Sequence, residues 1–377
     1  MRSLILFVLF SSIFILRWIT LPSPLPETWT PSSTVRFTAP IIDQVEHTDT
    51  KTVVRKGIWY ISIPGYAEII PGDLVSFSGT VQKEVLLNTV TRIIMKDPTF
   101  EFLERRGERH LSLTEMILLT LLDLREHSVS LLEKWLPEPM SSLAAGILLG
   151  VKGQMPSTFH EALVNTGTLH IVAASGYNVS IVASVIMNLL GRFLSRGVVI
   201  GWGIVGIVGY VLLSGVSASV VRAGIMGSLT LIAYYFGRPA EARRLLWLTG
   251  ALMLFFNPLM LIDIGFQLSF IATAGLLYLE PWLEKRLSRI PPLMGEYLFP
   301  TLAATLATTP LIIWHFGRVS WIAPLVNVLV LPVVPLIMLL TALSIAFGSI
   351  VFGLGKIVAW LVYVPLTWVV RVIQLLG

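Results

Sequence analysis

The spacing of apolar residues changes three times along the chain. A short apolar block at residues 4–16 follows one early arginine, Arg2. From 35 to 98 the runs are short and alternating, clearest in Val75-Ser76-Phe77-Ser78-Gly79-Thr80-Val81, the pattern of a half-buried strand. Similar runs at 52–54, 58–63 and 88–95 are set apart by turn signals such as Pro64-Gly65 and Pro71-Gly72-Asp73. About five strands in this length predict a small all-β module of the OB-like kind. From Phe100 to Leu136 the chain becomes charged and helical in pattern. Its apolar run at 116–122 is too short to cross a bilayer and is interrupted by Asp123, Arg125 and Glu126, which predicts an amphipathic helix at the membrane interface.

Beyond residue 137 the apolar blocks lengthen to what a bilayer-spanning helix needs, about 20 residues. Expected spans are 165–190, 197–214, 217–236, 244–262, 264–283, 297–315, 321–347 and 350–374. The block at 141–151 is too short to cross and ends at Lys152-Gly153. It predicts a half-helix, which a membrane tolerates only where it is buried in protein or lines a cavity. The expected fold class is therefore a polytopic α-helical membrane bundle with an N-terminal signal anchor and a small all-β, OB-like extracellular module. The expected domains are an anchor at 1–21, the β module at 35–98, an interfacial helical linker at 100–136 and a multi-span domain at 137–377. A cleavable signal peptide is the rival reading of the first block. No small-x-small site follows it, and Arg17, Trp18 and the prolines at 22, 24 and 26 fit an uncleaved anchor.

Basic residues fix an expected orientation. Arg192 and Arg196, then Arg238, Arg243 and Arg244, then Lys285, Arg286 and Arg289 are each separated by two spans, so all three clusters share one side. The positive-inside rule makes that side cytoplasmic. Counting back places residue 165 and the β module outside, in agreement with a cytoplasmic N-terminus ahead of the anchor. The expected location is the bacterial plasma (inner) membrane, crossed several times.

Composition agrees with this reading. The chain is 55% hydrophobic and 13% charged, about half the charge of an ordinary soluble domain. The net charge of +5 belongs mostly to loops between apolar blocks and is no nucleic-acid signature. The absence of cysteine excludes a disulfide, a thiol nucleophile and a Cys-ligated zinc site. His160-Glu161 lacks the second histidine of a zincin motif, and no P-loop is present. In the β module seven Lys and Arg balance seven Asp and Glu, so it reads as a structural cap or docking module rather than a strand-binding groove.

The densest polar interruption of an apolar block is Thr166-Gly167-Thr168-Leu169-His170, followed by Ser175-Gly176-Tyr177-Asn178. Ser175-Gly176 predicts a break in the helix. The competing reading for these residues is interhelical hydrogen bonding with close packing at the small ones. Arg222, near the start of a span, either snorkels to the interface or presents a fixed cation to the bundle interior. Asp263 is its expected ion-pair partner, and Gln267, one turn further on, is placed to bond across the bundle.

These residues resemble the signature of the ComEC family of competence proteins. Thr166-Gly167, His170 and Ser175-Gly176 match its TG-x-x-H and SG elements, with Tyr177-Asn178 where many members carry Leu-His. Ser217-Ala218-Ser219-Val220-Val221-Arg222-Ala223 is similar to its small-residue-plus-arginine motif. Asn257-Pro258-Leu259 and Gly265-Phe266-Gln267-Leu268-Ser269-Phe270 are similar to later blocks, as are Thr308-Thr309-Pro310, Phe316-Gly317, Asn327 and Pro332. The resemblance implies a channel subunit importing single-stranded DNA, with no catalytic residue or cofactor. Its channel candidates are Thr166, Gly167, His170, Ser175, Gly176, Asn178, Arg222, Asp263 and Gln267. It also implies a separate motor or helicase, a DNA receptor and a nuclease, because the family's C-terminal metallo-β-lactamase-like domain has no counterpart before Gly377. Two rivals stand beside it: a transporter for another anionic or lipid-linked substrate, and a membrane-embedded enzyme using His170 with Asp263 or Glu161 as acid and base.

Overall fold

The structure, a computed structural model, describes residues 34–40, 45–48, 51–56, 59–64, 67, 69–86, 89–104, 106, 111–151, 155–172, 175–238, 240–287, 291–317 and 319–377. The expected anchor lies outside these residues. The described chain divides into two compact units that meet between Leu124 and Arg125 in sequence.

The first unit is built on one six-stranded sheet. Its strands are β1 (Thr34–Pro40), β2 (Val45–Thr48), β3 (Lys51–Lys56), β4 (Trp59–Pro64), β5 (Leu74–Leu86) and β6 (Thr89–Glu104), in the order β1-β5-β6-β4-β3-β2. β4 and β6 run parallel and the other pairs antiparallel. The two edge strands are near neighbours in sequence, and this decides the shape. Laid flat, five strand spacings would put the edges about 24 Å apart. The five residue steps from Pro40 to Val45 reach at most about 18 Å, so the sheet is rolled. Alternate residues fill its inside, including Ile61, Ile63, Val75 and Phe77, all buried.

The helical pattern expected from Phe100 is corrected here, since Phe100–Glu104 continues β6. Phe100 lies opposite Phe77 and Phe102 opposite Val75, so cross-strand aromatic pairing outweighs the charged residues between them. Helix begins at Leu113. The turn at Pro71-Gly72 uses the left-handed φ of Gly72, +107°, and delivers buried Asp73 to accept the backbone N–H groups of Ile70 and Arg106. The Arg106 guanidinium then donates two bonds, 2.6 and 2.7 Å long, to Asp123.

The second unit is helical. From the second half of α1 (Leu113–Trp135) it continues through α2 (Met140–Leu149), α3 (Ser157–Asn165), α4 (Leu169–Val172), α5 (Gly176–Leu190), α6 (Arg196–Leu213) and α7 (Ala218–Tyr235). α8 (Ala242–Phe256), α9 (Ile264–Ala274), α10 (Glu280–Arg286), α11 (Pro292–Phe316), α12 (Ala323–Val330), α13 (Val334–Gly348) and α14 (Phe352–Leu376) complete it. Among the described residues, five stretches are long and apolar enough to cross a membrane: Arg196–Leu213, Ala218–Tyr235, Gly295–Phe316, Ala323–Gly348 and Phe352–Leu376. The protein is a membrane protein.

Proline accounts for several departures from uninterrupted spans. The block at 244–262 is not one helix. Pro258 bars Asn257 from helical geometry, Asn257 adopts φ −141° and ψ 91°, and a 3-10 turn follows at Pro258–Ile262. Pro281 cannot donate to the carbonyl four residues back, and a π turn at Gly275–Leu279 precedes it. The half-helix expectation is met by α2, which is buried along nearly its whole length. Its Leu143, Ala144 and Ile147 belong to one core with Trp135, Leu163, Val172, Ile337 and Val369.

Candidate functional site

The candidate residues fall into three clusters. The first follows α3. Thr166 is buried, and its hydroxyl donates to the Ala162 carbonyl at 2.7 Å while pairing with the Thr168 hydroxyl. Gly167 turns the chain with φ +70°, and a Cβ there would lie 2.8 Å from that of Ala323, so only glycine fits. His170 Nδ1 lies 3.0 Å from the Gly167 carbonyl, and its ring is exposed. This cluster folds the chain sharply between α3 and α4.

The second cluster is the break. Ser175 is extended, with φ −117° and ψ 170°, and α5 starts at Gly176. The interruption expected at Ser175-Gly176 is present. Asn178, 2% exposed, reaches back from α5 and donates to the Ile147 carbonyl at 2.7 Å. Its own carbonyl oxygen accepts from the Ser175 hydroxyl. Tyr210, on α6, donates to the Leu148 carbonyl at 3.0 Å. Ile147 and Leu148 lie in the last turn of the buried half-helix, where carbonyls have no amide one turn further on. Asn178 and Tyr210 therefore close the end of α2. Gly150 follows in a left-handed conformation, its N–H bonded to the Gly146 carbonyl.

Arg222 belongs beside this break. A Cβ on Gly176 would lie 2.8 Å from Arg222 Nη2, so glycine makes room for the guanidinium at the start of α5. Nη1 donates to the Ser269 carbonyl and to the Thr273 hydroxyl on α9. Ser219, one turn before Arg222 on α7, donates to the Ser269 hydroxyl at 3.2 Å. Arg222 is half-buried, and its Nε is buried without a partner. The guanidinium thus sits where α5, α7 and α9 meet and faces the interior. Among the described residues no carboxylate pairs with it.

The third cluster contains Asp263 and Gln267. Asp263 is not the ion-pair partner of Arg222. Its carboxylate caps α9 by accepting the Phe266 N–H at 2.7 Å, the ordinary work of an aspartate at a helix start. Gln267 donates to the Leu261 carbonyl and lies 3.3 Å from His315 Nε2. The described residues bring no group of three or more His, Cys, Asp and Glu together to hold a metal ion.

The family model described as Competence protein matches residues 147–377, well over half of the chain and all three clusters. This chain belongs to the competence protein family. Within the family, its sequence is 24% identical over 250 residues to ComE operon protein 3 of Bacillus subtilis (strain 168), covering 64% of this chain and 32% of that protein. It is 30% identical over 208 residues to an uncharacterized protein of Aquifex aeolicus (strain VF5), covering 54% of this chain and 47% of that one. The chain thus matches between about a third and a half of the length of these curated relatives. No solved structure gives a significant match.

Tyr210 and Thr273 were missed by reading the sequence. A tyrosine hydroxyl inside an apolar span is the signal that would have found the first. Thr273 carries no such signal, because a lone threonine in a span ordinarily bonds to its own helix, as Thr273 also does through the Ser269 carbonyl.

Proposed function

We propose that this competence-family protein is an inner-membrane channel subunit that imports single-stranded DNA during natural transformation. The observation that carries the reading is Arg222. Among the described residues its guanidinium donates only to neutral acceptors; it keeps a buried N–H unpaired and lies against the first residue of α5. A helix start already carries partial positive charge, and a cation within a membrane needs a partner. An anion passing this point would be that partner, and a phosphodiester backbone matches the planar guanidinium.

In this reading the positions from Thr166 to Asn178, with Arg222, Asp263 and Gln267, shape the path. The domain limits at 1–21, 35–98, 100–136 and 137–377 carry over, with the β module extended to the end of β6. An OB-like barrel is supported by the strand order. If β1 and β2 are halves of one bent first strand, the sheet closes as a five-stranded ring with a single parallel pair. The N-terminal anchor, a cytoplasmic N-terminus, an external β module and separate motor, receptor and nuclease partners complete the proposal.

Transformation by Arg222→Gln and Arg222→Lys variants, with membrane insertion followed separately, tests it. The expected result is strong loss for glutamine and partial retention for lysine. In oligonucleotide binding by the purified protein, losing one phosphate contact should lower the log–log salt slope by about 0.7. Uptake at the wild-type level by Arg222→Gln would remove the mechanism.

A further inference from the structure

The outer face of the α6–α7 hairpin carries a feature independent of what passes through the bundle. Gly197, Ile200, Gly201 and Ile204 recur on one stripe of α6. With Ile232, Tyr235 and Phe236 near the end of α7 they line a groove of about 330 Å³. A Cβ on Gly201 would meet no atom within 4 Å, so the protein leaves the groove open there.

One end of the groove is strongly basic. Arg196 directly precedes Gly197. Its guanidinium lies 4.0 Å above the Tyr234 ring and donates to the Tyr234 carbonyl. Arg192 lies four residues earlier, in the connection from α5, and Arg238 follows Phe236 by two residues. All three arginines are exposed, and none pairs with a carboxylate among the described residues. The aromatic residues at this level match the belt found where membrane meets water.

An apolar slot with a cationic, aromatic mouth fits an amphiphile of opposite charge. We propose that this groove binds one anionic phospholipid, an acyl chain lying along Gly197 and Gly201 and the phosphate held by Arg196 with Arg192 and Arg238. A zwitterionic lipid would add a headgroup cation beside three arginines. A second copy of this chain would present the same positive rim to itself. Both are disfavoured by charge alone. Juxtamembrane arginines each strengthen attraction to anionic lipid by about fivefold.

The test uses the full-length protein in detergent, loaded with equal amounts of phosphatidylglycerol and phosphatidylcholine of the same chain length. Native mass spectrometry then counts the lipid retained. Wild type should keep phosphatidylglycerol over phosphatidylcholine by fivefold or more. Arg196→Gln with Arg238→Gln should abolish the preference, and Arg196→Lys should keep part of it. Gly201→Leu projects into the slot from a position where a Cβ meets no atom within 4 Å, and should lower phosphatidylglycerol retention although every arginine remains. Equal retention of the two lipids by wild type would overturn the proposal, as would a preference unchanged in the double variant. Unchanged retention in Gly201→Leu, or displacement of the lipid by millimolar inorganic phosphate, would show a headgroup or phosphate site and overturn the groove. A Gly201-dependent dimer in place of bound lipid would assign the face to a second copy.

Discussion

Replacing Asn178 with leucine keeps the size of the side chain and removes its donor. The Ile147 carbonyl, 2.7 Å from Asn178 Nδ2, then ends a buried half-helix with no amide ahead of it. Two magnitudes compete. Interhelical hydrogen bonds in membranes average about 0.6 kcal/mol and reach about 1.7, because the unfolded chain in the bilayer also finds partners. Stranding a buried acceptor costs about 1–3 kcal/mol. The second governs here, because Asn178 is 2% exposed and water cannot replace it. Ser175 also loses its acceptor on Asn178. The expected loss is about 1–2 kcal/mol, a factor of about 5–30 in the folded-to-unfolded ratio.

Equilibrium unfolding in mixed micelles, read by tryptophan fluorescence, measures that loss. Asn178→His replaces the amide with an imidazole. It keeps a ring N–H and should recover part of the lost stability. Tyr210→Phe strands the neighbouring Leu148 carbonyl. The two variants unlock the same helix end, so their double variant should fall short of the sum of the singles. An Asn178→Leu protein as stable as wild type would refute the capping argument.

Other consequences are local. A Cβ at Gly348 would lie 2.0 Å from Trp135 Cη2, so Gly348→Ala should destabilise by about 1–3 kcal/mol through overpacking, seen in the same unfolding assay. The hydrogen-bonded Arg106 guanidinium holds the Asp123 carboxyl below its ordinary value near 3.8. Its folded-state pKa is depressed, so the contribution is present above the unfolded value and lost as pH falls through the folded one. Because the pair is partly exposed, its worth is about 0.2–1 kcal/mol. Proteolysis of the β unit across pH 3–6 should show that loss in wild type and its absence in Asp123→Asn. Cysteines placed at Glu101 and Ala240, both exposed, should react with an impermeant reagent from opposite sides of the membrane. Reaction of both from one side would overturn the orientation.

Much of this was legible because lipid makes sequence speak loudly. Blocks near 197–214 and 217–236 became α6 and α7 with ends moved by a residue or two, since a bilayer fixes length and apolarity together. The half-helix was legible for the same reason: a mostly apolar stretch of ten residues cannot cross. What the sequence hid was set by tertiary partners. The charges between Phe100 and Glu104 looked helical, and only the facing Phe77 and Val75 show why they form a strand. Asp263 looked like a counter-ion for Arg222, but the start of α9 claims its carboxylate. Asn178 stood out as polar in an apolar run, while its purpose depended on carbonyls some thirty residues earlier. The orphan carbonyls at the end of the expected half-helix ask for donors, and Asn178 and Tyr210 supply them to Ile147 and Leu148.

That accounting separates two kinds of polarity around the Ser175 break. Irregular backbone survives in a membrane where protein buries it or where it lines a cavity. At α2 the first condition holds, because the helix is buried and Asn178 and Tyr210 donate to the Ile147 and Leu148 carbonyls at its end. At Arg222 the accounts stay open, with a cation, an unpaired Nε and a helix start converging and no carboxylate among the described residues. The two sites are neighbours through α5, yet their variants should behave differently. Asn178→Leu should lower stability and leave the salt slope of oligonucleotide binding unchanged. Arg222→Gln should flatten that slope by about 0.7 and leave stability unchanged or improved, since removing an uncompensated buried charge relieves its desolvation. If Arg222→Gln instead destabilises the protein as much as Asn178→Leu and binding keeps its salt slope, Arg222 is a structural clamp between α7 and α9. The anionic path would then run elsewhere.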